Sequence, residues 1–239
     1  MTAFLHTPRR DGVSALAFVS CLAATAARGQ PTPAPLLDAL SITVQVDSTT
    51  VARGSLRLRQ IRTGSVLELV ANGSLVRKGL RVTAELRTDS LFGLRTYTAE
   101  SRDSAGVLID RVHVTSAGGR ITLERVTPRR RVMREFPAQR ELMILDSATV
   151  VPFVLLAGVA PRAGASLAFL DVRSGSVTRA SMASGAPNDL TMAEAIVSGT
   201  PVTVTGLALP LTWWRDSRGH LLRVVWGDRS RVLRDDPPA

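Results

Sequence analysis

Residues 144–158, ILDSATVVPFVLLAG, decide how this chain is read. Elsewhere apolar residues alternate with Arg, Thr, Ser and Glu, the period-two pattern of strands with one buried face. Here, from Val150 through Leu156, the apolar run is broken only by Pro152, itself without a polar side chain. Pro152 lacks an amide hydrogen, so it fits the first turn of a helix and no later one. Ser147 or Thr149 can cap that helix, and Gly158 and Pro161 can end it. The expectation is a helix of about two or three turns, apolar on every side and therefore buried. A fully buried strand is the competing assignment, because Val150 and Val151 are β-branched.

Outward from this stretch the chain reads as strands and turns. On the N-terminal side, residues 40–47, 56–61, 65–71, 80–87, 91–101, 107–115, 121–126 and 131–136 have strand character. Thr63-Gly64, Ser104-Ala105-Gly106 and Gly118-Gly119 punctuate them. Asn72-Gly73 is the strongest hairpin signal, since both residues tolerate the positive φ of a type I′ turn. On the C-terminal side, residues 165–172 turn at Ser174-Gly175 into 176–183. Residues 190–197 are open between strand and one helical turn, and 200–209 alternate again. The final hairpin joins 211–215 to 220–226 through Asp216-Ser217-Arg218-Gly219, with Asp and Gly where a type I turn favours them. The predicted fold is therefore mainly β: a curved antiparallel sheet, half-barrel or open barrel, of roughly ten or more strands with one short central helix packed against it.

The N-terminus reads differently. Residues 1–30 have the layout of an export signal peptide: Arg9 and Arg10, an apolar run at 13–26, and a small-x-small site at Ala24-Thr25-Ala26. That run is short for a membrane span. Residues 31–37 are a Pro-rich spacer, 38–234 a single β-rich domain, and 235–239 a frayed tail. The expected location is periplasmic or secreted; Cys21 in a lipoprotein-like box offers anchoring as the alternative. Arg9-Arg10 resembles a twin-arginine signal, with Gly12 where a bulky apolar residue is preferred. Loss of Cys21 with the signal would leave no cysteine, and hence no disulfide or thiolate chemistry.

Formal charge is +10, yet Lys78 is the only lysine and the arginines are dispersed along strand-like segments. That distribution describes a solvated sheet face better than a nucleic-acid footprint, so no nucleic-acid partner is expected. Arg129, Arg130, Arg131 and Arg134 form the one dense cluster, a candidate anion-binding set for envelope lipid headgroups or polysaccharide.

Two segments carry a resemblance. The Ile144-Leu145-Asp146 run before an apolar helix, and the hairpin Trp214-x-Asp216-x-x-Gly219-x-Leu221-Leu222-Arg223-Val224, resemble a family of secreted or periplasmic β-rich domains of unknown function. Those domains are similar in architecture to envelope lipoprotein carriers, in which a curved sheet wraps a helix and can hold acyl chains. The likeness spans most of residues 38–234. Ser147-Ala148-Thr149 and Pro152 depart from its usual polar or aromatic residues after the Asp. It implies non-enzymatic binding of a lipid or other apolar small molecule on the concave face, with possible membrane-surface contact, and brings no catalytic residues.

The remaining chemistry is sparse. His113 and His220 stand far apart without metal-ligand spacing, and no metal or cofactor is expected. No G-x-S-x-G elbow or phosphate-binding Gly-Lys loop occurs. No catalytic residues are assigned; a hydrolase with a non-standard site would centre on Asp146, although a cap or turn acceptor is the simpler role for it. Trp213 and Trp214, adjacent on a strand, face opposite sides, and Trp226 ends the same hairpin. The predicted ligand-binding residues are Phe153, Leu156, Trp213 and Trp214.

Overall fold

A computed structural model describes residues 36–238, except 140, 160–164, 193–194 and 228. The export-signal segment lies outside the described residues. Eight strands form an up-and-down meander: β1 (Leu36–Val46), β2 (Thr49–Thr63), β3 (Val66–Arg77), β4 (Leu80–Asp89), β5 (Leu94–Asp103), β6 (Leu108–Ala117), β7 (Arg120–Thr127) and β8 (Arg130–Pro137). A short β9 (Leu142–Leu145) leads into helix α1 (Val151–Gly158). Then follow β10 (Ser166–Asp171), β11 (Ser176–Ser184), β12 (Asn188–Met192), β13 (Ala195–Thr205), β14 (Leu211–Arg215), β15 (Leu221–Trp226) and β16 (Ser230–Arg234).

All belong to one open, curved sheet of order β8-β7-β6-β5-β4-β3-β2-β1-β16-β15-β14-β13-β11-β10-β9, with β12 pairing β13 to the side. The first and last strands meet in its middle, Val44 opposite Val232. Every pairing is antiparallel except β9 with β10, which α1 joins as a crossover, the connection a parallel pair requires. The Arg234 guanidinium clamps this junction, donating two hydrogen bonds at 2.9 and 3.0 Å to the Asp38 carboxylate, both side chains nearly sealed from solvent. Asp235 also donates its amide to Ser41 at 2.9 Å, so the tail expected to fray is tied down where it begins.

The alternation in sequence becomes an inside and an outside. On β4 and β6 the buried side chains are Val82, Ala84, Leu86 and Thr88, and Asp110, Val112 and Val114, each on every second residue. All these point to the inner face, where α1 lies with residues 151–157 wholly buried among β2, β3, β4, β9, β14 and β15. The central stretch thus resolves into three parts: strand to Leu145, a turn over 146–150, and a helix of eight residues. Pro152 occupies its first turn, and Thr149 Oγ1 accepts the Val151 amide at 3.3 Å. Gly158 does not end the helix by a left-handed turn, because Val159 is extended at φ −79°. Gly158 instead leaves room for Phe92, whose ring carbons lie 3.2 Å from where a Cβ would stand.

Asn72-Gly73 is a correction. It lies inside β3, with Asn72 opposite Arg57 and Gly73 opposite Leu56. The primed two-residue turn is at Asp47 (φ 50°) and Ser48 (φ 65°), and β3 turns into β4 at Lys78-Gly79. A Cβ at residue 73 would stand 2.3 Å from Leu56 Cδ2, 2.6 Å from the Ser55 carbonyl oxygen and 3.3 Å from Val151 Cγ2. Gly73 serves close approach of backbone and helix, the other use of a strand glycine. Residues 188–192 and 195–205 settle the open segment as a β-hairpin. It folds over the outer face, where Leu190 and Met192 pack on Leu222 and Trp214.

Candidate functional site

The helix does not fill the inner face completely. Beside its N-terminal turn a recess of about 250 Å³ remains, open at the sheet end that carries the β1–β2, β3–β4 and β15–β16 turns. Phe153 and Trp226 form one wall, ring centroids 5.6 Å apart and edge to face at 84°, an arrangement aromatic pairs favour. Val44, Val82, Val224 and Val232 line the sheet side. The mouth is apolar too: Val51 and Leu209 line it with 37% and 54% of their surface exposed. Arg77, exposed at the end of β3, is the one charged group in the lining. Mostly apolar walls with a few polar residues, here Arg77, Ser147, Thr149 and Ser230, are the usual composition of a small-molecule pocket. Larger depressions exist on the outer face, one of about 460 Å³ lined by Arg57, Asn72, Glu85 and Glu100. That one is a polar groove whose acids pair with neighbours, Glu85 with Arg87 at 2.7 Å and Glu100 with Arg102 at 2.9 Å.

The residues singled out in sequence are distributed unevenly around the recess. Phe153 lines it. Leu156 is 1% exposed and packs in the core away from it. Trp213 is fully buried, and its indole N–H has no acceptor among the described residues. Trp214 faces outward, donating to Asn188 Oδ1 at 3.1 Å, with the Arg223 guanidinium 5.1 Å from its ring centroid. Thus Trp213 and Trp214 do point to opposite faces, and the indole of the recess is that of Trp226. Its place was legible only as the end of a hairpin.

The arginine cluster also divides. Arg129 sits exposed in the β7–β8 turn, and Arg131 faces outward, paired with Glu124 at 2.7 Å. Arg130 and Arg134, two residues to either side of Val132 and opposite Thr127 and Leu123 of β7, face inward. The Arg134 guanidinium donates to the Gly175 carbonyl at 2.7 Å.

Asp146 neither caps α1 nor lines the recess. It is fully buried, and its two carboxylate oxygens accept four hydrogen bonds: from the Ala148 amide (2.9 Å), Tyr97 Oη (2.6 Å), and Arg173 Nε and Nη2 (2.6 and 2.9 Å). Arg173 also pairs with Asp110, which receives a two-pronged bond from Arg125 at 3.1 Å. Arg125 in turn donates to the Arg173 carbonyl at 2.9 Å. This network buckles the β9–β10 edge of the sheet onto the inner face of β5, β6 and β7. Burial raises the Tyr97 phenol well above its usual value, and the charge of Asp146 and the bond to it push further the same way; nearby Arg173 pulls modestly back. Burial alone would lower Arg173, but Asp146 and Asp110 outweigh it and keep the guanidinium charged. With every acceptor position of Asp146 engaged, the carboxylate acts as a fastener.

The histidines also have local partners. His113 lies 3.0 Å from Thr98 Oγ1 on the outer face, and His220 lies 2.8 Å from Asp216 within its own turn. No group of three potential metal ligands occurs among the described residues, and no helix there is long and apolar enough to cross a membrane. Comparison with known proteins returns nothing: no family profile, no curated protein and no solved structure matches this chain.

Proposed function

We propose that this chain is an exported, non-enzymatic binding protein that holds a lipid or other apolar ligand against the inner face of its sheet. The observation that carries the reading is the 250 Å³ apolar recess between α1 and the sheet, closed by Phe153 and Trp226 and fringed by Val51, Leu209 and Arg77. At about 30 Å³ per water-sized group, it accommodates on the order of eight such groups. That is one medium acyl chain, not a two-chain lipid. Arg77 at the rim suits a carboxylate head, and the exposed apolar mouth suits transfer to or from a membrane surface. The pattern of residues 1–30 supports export.

The test is calorimetric titration of the full chain with decanoate. Saturable binding is expected. Val51→Trp, which fills the mouth, should weaken it at least tenfold, whereas Val107→Trp, exposed and outside the recess, should leave it unchanged. Arg77→Gln should weaken decanoate binding and leave decanol binding alone. Absence of saturable uptake, together with ligand-free protein from an envelope fraction by native mass spectrometry, would overturn the reading.

A further inference from the structure

A second recess, about 350 Å³, lies on the inner face at the β7–β8 edge, and its character is cationic. Arg125, Arg130, Arg134 and Arg173 line it, over an apolar floor of Leu123 and Val132. It shares no lining residue with the apolar recess. The charge balance within it is uneven. Asp110 and Asp146 take up the ion pairs of Arg125 and Arg173. Asp171, in the facing turn, accepts the amides of Arg173 and Ser174 and the Ser174 hydroxyl, and makes no ion pair among the described residues. The acids nearest in sequence to Arg130 and Arg134 are Glu124 and Glu135, which pair with Arg131 and Arg120 instead. Arg134 makes one bond, to a neutral carbonyl, and the Arg130 guanidinium has no hydrogen-bond or ion-pair partner among the described residues. Two guanidinium charges therefore face the recess without a carboxylate of their own.

We propose that this recess binds a phosphate group, held between Arg130 and Arg134. The two residues are four apart on one strand, on the same side with Val132 between them, so their Cα atoms stand roughly 13 Å apart. Extended arginine side chains leaning toward each other over Val132 can reach one anion held between them. A carboxylate has two oxygens and satisfies one guanidinium fork. A tetrahedral phosphate presents oxygens to both. Arg125 and Arg173 behind are balanced by Asp110 and Asp146, so the field that such an anion meets comes from Arg130 and Arg134 over the apolar floor. Sequence alone groups Arg129, Arg130, Arg131 and Arg134 as one surface cluster; the strand alternation divides it, and only the inward pair belongs to this site.

The phosphate can come free or on a lipid head, and two measurements separate these sources. The first is calorimetry of the full chain with inorganic phosphate at low ionic strength. The second is co-sedimentation with phosphatidylcholine vesicles, with and without phosphatidic acid. Each is run on the native chain, on Arg130→Gln/Arg134→Gln, and on Arg129→Gln/Arg131→Gln, which removes the same charge outside the recess. Binding in either measurement should fall about tenfold or more in the first variant, the scale of losing charge-assisted bonds, and stay within about twofold in the second. Dependence in the vesicle arm alone identifies a lipid headgroup, and dependence in the free-phosphate arm identifies a soluble phosphate; both support the site. Equal losses in the two variants, or no phosphate-dependent binding by the native chain in either arm, would overturn it. Circular dichroism of each variant confirms that a loss is not unfolding.

Discussion

Replacing Asp146 with alanine is the most direct test of how the open sheet keeps its curl. The substitution removes the acceptor for Tyr97 Oη, for two nitrogens of Arg173 and for the Ala148 amide at once. Deleting one partner of a buried ion pair costs about 3–5 kcal/mol, because the other charge is left without compensation. Arg173 keeps Asp110, which lowers that figure, while the buried Tyr97 hydroxyl is orphaned at about 1–3 kcal/mol, which raises it. The two corrections are of similar size, so a loss of about 4 kcal/mol is expected. Against a total stability on the order of 5–15 kcal/mol this is severe. For a domain of this length it corresponds to a melting point lower by about 8–16 °C. Urea unfolding followed by tryptophan fluorescence reads the free energy, since Trp213 is fully buried and will report exposure. The double variant with Tyr97→Phe should cost less than the sum of the singles by about 1 kcal/mol or more, as expected of groups in contact. Amide exchange in β9 and β10 should speed more than in β1 and β16, because the buckle holds that edge. A loss under about 1 kcal/mol, or strict additivity with Tyr97→Phe, would refute the fastener role.

Three further outcomes are expected. Gly73→Ala should destabilise by about 1–3 kcal/mol through overpacking, while Asn72→Ala should cost under about 0.5 kcal/mol; a reversed order in thermal melts would restore Asn72-Gly73 as a turn. Tyr97 is the only tyrosine, so ultraviolet absorbance reports it alone. Its raised value means that its contribution to stability is complete below about pH 10 and is lost as pH climbs toward the folded value. The phenolate signal should therefore appear together with alkaline unfolding, not ahead of it. At Asp216, burial pushes the carboxyl up, but the amide and ring of His220, its charge and the Arg218 amide outweigh it and hold it below the usual range. Its stabilisation is then present above the unfolded value near 4 and lost as pH falls through the lower folded one. Asp216→Asn should flatten the melting-temperature decline below about pH 4, and an unchanged decline would count against the turn as its source.

Much of the fold is local and therefore legible. Period-two alternation on β4 and β6 states which side chains go inward, because successive strand residues must face opposite ways. Asp216 and Gly219, and Asp103 and Gly106, mark turns whose carboxylates accept the amides two and four residues on, at 2.8 to 2.9 Å. The buried helix follows from an uninterrupted apolar run with Pro152 where a first turn tolerates it.

The candidate sites are not local. Tyr97, Asp110 and Arg173 lie 49, 36 and 27 residues from Asp146, and nothing in their immediate neighbours marks them as one network. Asn72-Gly73 carries good turn chemistry, yet the approach of Leu56 and Val151 uses the missing side chain instead. Arg130 and Arg131 are adjacent in sequence and opposed in space, so their cluster exists in the sequence and not on the surface. Sequence by itself determined the class of sheet and its inner face, and narrowed the central stretch to a buried helix or a buried strand, because each depends on residues within one turn or one strand. Where the curled sheet leaves space beside Phe153 and Trp226, and where charge is left over at Arg130 and Arg134, was decided by tertiary structure. Both depend on contacts between strands far apart in the chain.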